Sequence, residues 1–174
     1  MFAKFDRVLT IGVTGMLGEM LNWLAVRSER VVLVSRGAVQ SASAAHNTVI
    51  PVSADWRNEV NFIDSIEAAN GFSGVKLAVV WMHDTGADAK RRVLERLAEE
   101  SCLVVDVLGS SALKDLKQME PQSDYLGPQA RRVTVLLGAM PTGAGHRWLE
   151  WSEISQAVIW AVENRVGLTV GELP

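Results

Sequence analysis

Residues 7–18, R-V-L-T-I-G-V-T-G-M-L-G, restrict the fold of this chain more than any other stretch. Val8, Leu9, Thr10, Ile11 and Val13 form an apolar, partly β-branched run suited to a buried parallel strand. The run breaks into Gly12, Gly15 and Gly18, and behind them Leu17, Leu21, Leu24 and Ala25 recur at helical intervals. Strand, glycine turn and helix in that order form the context in which closely spaced glycines hold a diphosphate. Glycine permits the tight turn and close backbone approach, and the helix start offers unpaired N–H groups and roughly half a unit of positive charge. The backbone of Gly12, Thr14, Gly15, Met16, Leu17 and Gly18 is therefore a candidate dinucleotide cradle. The plainer alternative is a strand–helix turn that needs glycine for its own geometry.

Strands and helices alternate behind this opening. Residues 30–35, 48–53, 75–81, 101–108 and 132–137 read as further strands, with Pro51 suiting the third to a sheet edge. Helices are expected over 58–70, with Val60, Ile63 and Ile66 inward, and over 85–100, with Val93, Leu94 and Leu97 inward. A weak helix or loop over 37–45 and a crossover helix over 109–120 complete the connections, and 121–129 reads as a polar turn. The last helix, 152–164, takes Ser152 as N-cap and Ile154, Ala157, Val158, Ala161 and Val162 as its inward stripe; residues 166–174 suit an edge strand. This pattern predicts one α/β domain over residues 1–174, a Rossmann-like, doubly wound parallel sheet of six to seven strands in three α/β/α layers.

A chain of 174 residues, 48% hydrophobic, fills one such core. A net charge of −3 without a basic run argues against nucleic-acid binding, and no apolar run is long enough for a membrane span. The single Cys102 excludes an internal disulfide and reads as core. With no leader expected before the first strand, the reading is a cytoplasmic protein.

The end of the second strand selects the cofactor. An acidic residue there would bind an unmodified ribose. Here the chain reads Val34-Ser35-Arg36-Gly37, and a hydroxyl beside a guanidinium suits a 2′-phosphate. NADP(H) is thus preferred over NAD(H). Asp55-Trp56 follows the third strand, where a carboxylate is placed to accept from an adenine amino group or, alternatively, to cap the next helix.

Together these residues resemble the short-chain dehydrogenase/reductase superfamily over about residues 7–165. G-V-T-G-M-L-G is similar to its T-G-x-x-G turn, and Asp55 to its aspartate near adenine. Trp81-Met82-His83 stands where the family carries a segment beside the cofactor ribose. Gly109-Ser110-Ser111 resembles the segment with the catalytic serine, and Met140-Pro141-Thr142-Gly143 the proline–glycine segment near the nicotinamide. The resemblance implies a tyrosine general acid with a lysine four residues later. Tyr125, the single tyrosine, lies 14 positions after Ser111, yet the residue four further on is Gln129, after Gly127 and Pro128. A neutral amide cannot lower a phenol pKa by charge. The chain thus looks like an atypical member without the tyrosine–lysine pair, in which Tyr125 reads better as a loop residue.

Ser111, Tyr125 and His83 remain the candidate catalytic groups; His83-Asp84 is an acid–base pair or an exposed loop pair. The three histidines and Cys102 lack metal-ligand spacing, so no metal is expected. Residues 141–145 read as a flexible stretch leading to His146 and Arg147. Of six tryptophans, Trp23 and Trp56 suit helix edges, whereas Trp148, Trp151 and Trp160 cluster near the C-terminus. Ile159 and Trp160 fall outside the inward stripe, which suggests a homodimer through the last helix, against core packing. Two functions follow: an NADP(H)-dependent oxidoreductase acting on a small carbonyl, imine or enone, or a dinucleotide-binding redox sensor or regulator without turnover. A third is an assembly partner that keeps only the fold.

Overall fold

The computed structural model describes residues 5–42, 47–109 and 123–173. Its elements run β1 (Phe5–Ile11), α1 (Gly18–Ala25), β2 (Ser28–Ser35), α2 (Ala38–Ala42), β3 (Val49–Ser53), α3 (Glu59–Ala68) and β4 (Leu77–Trp81). A 3-10 turn (Asp84–Gly86) leads into α4 (Ala87–Leu97), then β5 (Leu103–Leu108) and β6 (Ser123–Tyr125). β7 (Arg131–Leu137), β8 (Ala139–Thr142), β9 (Gly145–Trp148), α5 (Trp151–Asn164) and β10 (Leu168–Val170) complete the chain.

The main sheet has the order β10-β7-β5-β4-β1-β2-β3, parallel throughout, with β6 added antiparallel to β7. Chain order reverses between β1 and β4, the position where doubly wound sheets open a crevice at their strand C-termini. Strands buried on both faces explain the near-continuous apolar runs. On β4, Leu77 and Val79 join the core under α1 and α5, while Ala78 and Val80 join the core under α3 and α4. Thr10, fully buried in β1, is satisfied by donating from Oγ1 to Val32 O at 3.2 Å.

Pro51 sits on the edge strand β3, where a missing donor costs no central ladder bond, and β10 forms the opposite edge. Elsewhere the structure departs from the expected pattern. Val60 is 61% exposed, and Phe62 takes the buried place beside Ile63 and Ile66; Leu94 is only half-buried. The polar turn contains β6, because Asp124 meets Arg132 across the strand pair at 2.6 Å. Residues 139–148 form the β8–β9 hairpin instead of a flexible stretch. Glu150, not Ser152, caps α5: its side chain accepts from the Glu153 amide while Glu153 accepts from the Glu150 amide at 2.8 Å. Ile159 is buried in the α5 stripe, whereas Trp148, Trp151 and Trp160 are exposed. The expected crossover helix lies mostly outside the described residues. No helix among the described residues is long and apolar enough to cross a membrane.

Candidate functional site

The glycine turn stands at the C-terminal end of β1, on the reversal of strand order. Gly12 extends the ladder by donating its N–H to Val34 O at 3.0 Å. Its φ of +71° and the 2.0 Å separation between an added Cβ and Trp81 O leave no room for another residue. Gly15, at φ +94°, is the second left-handed position; Gly18 N closes the turn onto Gly15 O at 2.9 Å. A side chain built at Gly15 or Gly18 meets nothing within 4 Å, so this backbone faces open space. Leu17 is fully buried and contributes backbone alone; Met16 is half-buried.

The start of α1 is more occupied than its sequence implies. Ser155 of α5, fully buried, accepts from Met20 N at 3.4 Å and donates to Met16 O at 3.2 Å. Glu19 lies in the first turn, where its charge suits the helix dipole but opposes an incoming anion. Ser152 Oγ donates to Glu19 Oε2 at 3.1 Å and ties that carboxylate to α5. Both serines were absent from the sequence-based site, because only the fold brings residues 152–155 onto residues 16–20.

At the ends of β2 and β3, Ser35 is 6% exposed and its Oγ has no partner among the described residues. Arg36 is exposed, and its carbonyl accepts from Ser53 Oγ at 3.1 Å. Asp55 does not cap α3, a role filled by Asn58, whose side chain accepts from Asn61 N at 3.3 Å. Its carboxylate is committed to Arg57. Nε reaches both oxygens at 3.0 Å, Nη2 reaches Oδ2 at 2.5 Å, and the Arg57 amide reaches Oδ1 at 3.0 Å. These bonds, with the Arg36 charge nearby, hold the Asp55 carboxyl at about 2. Arg57 had no place in the sequence-based site; its spacing of two from Asp55 was the available signal.

Trp56, Trp81 and His83 form an aromatic group beside the turn. The Trp56 indole lies against Gly12 and Gly86 and donates from Nε1 to Thr85 Oγ1 at 3.1 Å. His83 is exposed, with ring centroids 5.3 Å from Trp81 and 6.0 Å from Trp56. Met82 is buried in the α3/α4 core. His83 opens the 3-10 turn in which Asp84 stands, and no hydrogen bond joins their side chains.

The structure separates the remaining candidates. Tyr125 pairs with Arg131, the first residue of β7, and is 75% exposed. At about 3.3 Å per residue, that places it roughly 20 Å from the C-terminal end of β7, at the other end of the sheet from the glycine turn. It is therefore removed from the candidate catalytic set. Ser111, with Ser110 and His46, lies outside the described residues. Pro141 pairs with His146 in the hairpin and is exposed. Both side chains after the hairpin turn are engaged within the protein: His146 Nε2 is 3.2 Å from Glu172, and Arg147 is held by Glu153 at 2.7 Å. Cys102 is buried, donates to Leu97 O, and burial pushes its thiol up to about 11, which makes it inert. Among the described residues no group of three or more His, Cys, Asp or Glu side chains is placed to hold a metal.

No family model matches the sequence, and no curated protein matches it. Solved structures do. A 3-ketoacyl-(acyl-carrier-protein) reductase from Brucella melitensis, complexed with NADH, aligns with a TM-score of 0.66 at 17% identity, covering 96% of this chain and 97% of that one. A short-chain dehydrogenase from Burkholderia cenocepacia in complex with NADP gives 0.64 at 16% identity, covering 98% and 90%. A putative epimerase from Bacteroides thetaiotaomicron gives 0.65 at 13% identity, covering 98% and 99%. The chain thus has the fold found in solved short-chain dehydrogenases/reductases.

Proposed function

We propose that this chain is a short-chain dehydrogenase/reductase-type protein that binds NADP(H) in preference to NAD(H) and transfers hydride to or from a small carbonyl-type substrate. One observation carries the reading: the turn that follows the left-handed Gly12 opens to free space at Gly15 and Gly18, at the reversal of strand order. The exposed Arg36 suits a phosphorylated ribose at the end of β2, whereas the Ser35 hydroxyl beside it is buried. Two neighbours of the same fold, complexed with NADH and NADP, support a nicotinamide dinucleotide without choosing between the two.

When bound, the dinucleotide supplies the hydride. The chain's own part is binding and proton handling. The turn backbone would hold a diphosphate, Arg36 would bind the ribose phosphate, and the Trp56 indole would bound the base side of the cleft. Asp55, spent on Arg57, is withdrawn as the acceptor for an adenine amino group. His83, exposed beside Trp81, is the described side chain suited to hold a proton for a substrate oxygen.

Binding without turnover is the second reading, favoured by the distance of Tyr125 from the turn. Titration of NADPH fluorescence with protein tests the shared claim: saturation below millimolar concentration is expected, and none would refute it. Arg36→Ala should weaken NADPH about tenfold more than NADH, as expected for loss of a charge-assisted phosphate contact. A screen of carbonyl substrates then separates enzyme from sensor. The exposed Trp151 and Trp160 on α5 support a homodimer through that helix, and a light-scattering mass of one chain would remove it.

A further inference from the structure

We infer that Arg57, aimed by Asp55, is a second determinant of cofactor choice beside Arg36, and that Asp55 is its positioning residue. The inference rests on the dinucleotide reading above and adds to it the residue that aims at the ribose phosphate.

Arg57 is unusually constrained for an exposed side chain. Its Nε–H is shared between both Asp55 oxygens, Nη2 binds Oδ2, and its own backbone amide binds Oδ1. A guanidinium carries five N–H donors. This clamp uses the Nε edge and part of Nη2, while Nη1 makes no hydrogen bond among the described residues, so the outer edge of the fork is not taken up by them. The Arg57 side chain is 63% exposed, and an ion pair in that setting contributes little to folding. Its geometry is better explained by orientation: a pre-aimed guanidinium loses less freedom when it meets a phosphate.

The neighbours fit that purpose. Ser53 Oγ donates to Arg36 O at 3.1 Å and Ala54 N to Ser35 O at 3.2 Å, so Arg36 stands beside the segment that carries Asp55 and Arg57 at the ends of β2 and β3. That local excess of positive charge stands on a chain whose net charge is −3. Ser35, the last residue of β2, pairs with Ser53 across the ladder, which sets the ends of the two strands side by side. A ribose 2′-phosphate, with several acceptor oxygens and close to two negative charges, answers both guanidinium groups.

The test compares affinities for NADPH and NADH in wild-type protein, Arg57→Gln and Asp55→Asn, read by fluorescence titration at fixed salt. Arg57→Gln is expected to lower the NADPH/NADH affinity ratio about tenfold, the loss expected for one charge-assisted phosphate contact. Asp55→Asn is expected to move the same ratio, because it releases the clamp; a residue accepting from adenine would instead lower both affinities alike. An unchanged ratio in Arg57→Gln with intact wild-type binding overturns this inference alone. Equal losses for both cofactors in Asp55→Asn overturn the positioning role. Wild-type protein that binds neither cofactor overturns the dinucleotide reading together with this one.

Discussion

The sheet has two halves that meet between β1 and β4, and they were built to different rules. On the β1–β3 side every strand is followed by its own helix, and side chains alternate cleanly between the two cores. Polar groups cluster only at the strand ends, where Ser35, Arg36, Asp55 and Arg57 lie. On the β5–β7–β10 side charge enters the interior: Lys90 of α4 reaches Asp106 in mid-β5 at 2.6 Å, with both side chains largely buried. An antiparallel strand is added to β7, and a hairpin precedes α5. The first half holds a shape that a phosphate-bearing ligand can use. The second sets its single tyrosine away from that end, since Tyr125 pairs with Arg131 at the opposite end of β7.

The largest effect should come from Gly12→Ala on the first side. A methyl 2.0 Å from the Trp81 carbonyl, on a left-handed backbone, has no flexible neighbour to displace. A loss of about 4 kcal/mol or outright unfolding is expected in denaturant titration; a loss under about 1 kcal/mol would show the turn to be adaptable. Next, on the second side, Asp106→Ala strands the Lys90 ammonium and should cost about 3–5 kcal/mol. Lys90→Met with Asp106→Leu should recover most of that loss, because an apolar pair avoids the desolvation of two ions. Failure to recover would mean that the ion pair fixes how α4 sits on β5.

A smaller effect concerns acid. The Arg147 guanidinium and the Glu150 amide hold the Glu153 carboxyl at about 2, below its ordinary 4.5. A depressed folded pKa stabilises above the unfolded value, and the contribution fades as pH falls from about 4.5 towards 2. Asp55, likewise held at about 2 from 3.8, acts in the same direction on the other half. Tm followed from pH 6 to pH 3 should therefore fall less steeply in Glu153→Gln than in wild type; parallel curves would show that the Arg147–Glu153 pair does not hold the hairpin. The smallest effect is expected from Tyr125→Phe. Any carbonyl reduction the protein performs should survive it within about twofold, and abolition of turnover would bring Tyr125 back as a catalyst.

What could be read in advance follows the same division. Local signals were sufficient for β1, its glycines and α1, for Pro51 on an edge and for the inward stripe of α5, because each depends on neighbours a few residues away. The features that escaped depend on distant partners. β6 exists because Asp124 meets Arg132, Ser155 reaches α1 from 135 positions away, and Lys90 of α4 is drawn inward by Asp106 of β5. The expected cap at Ser152 and the alternative cap at Asp55 both fell elsewhere. Serine is the commoner cap, yet the Glu150–Glu153 exchange takes the start of α5; Asp55 is a common cap too, yet Arg57 claims it and Asn58 serves. In the candidate site, residue types were legible and their commitments were not.

Amide hydrogen exchange with and without saturating NADPH tests the central claim most directly. A diphosphate on the glycine turn should slow exchange across residues 12–19, and a ribose phosphate should slow it at residues 35–37, while residues 123–125 exchange as before. Exchange across residues 12–19 that is unaltered by saturating NADPH, or protection confined to the β6 end of the sheet, would contradict the account.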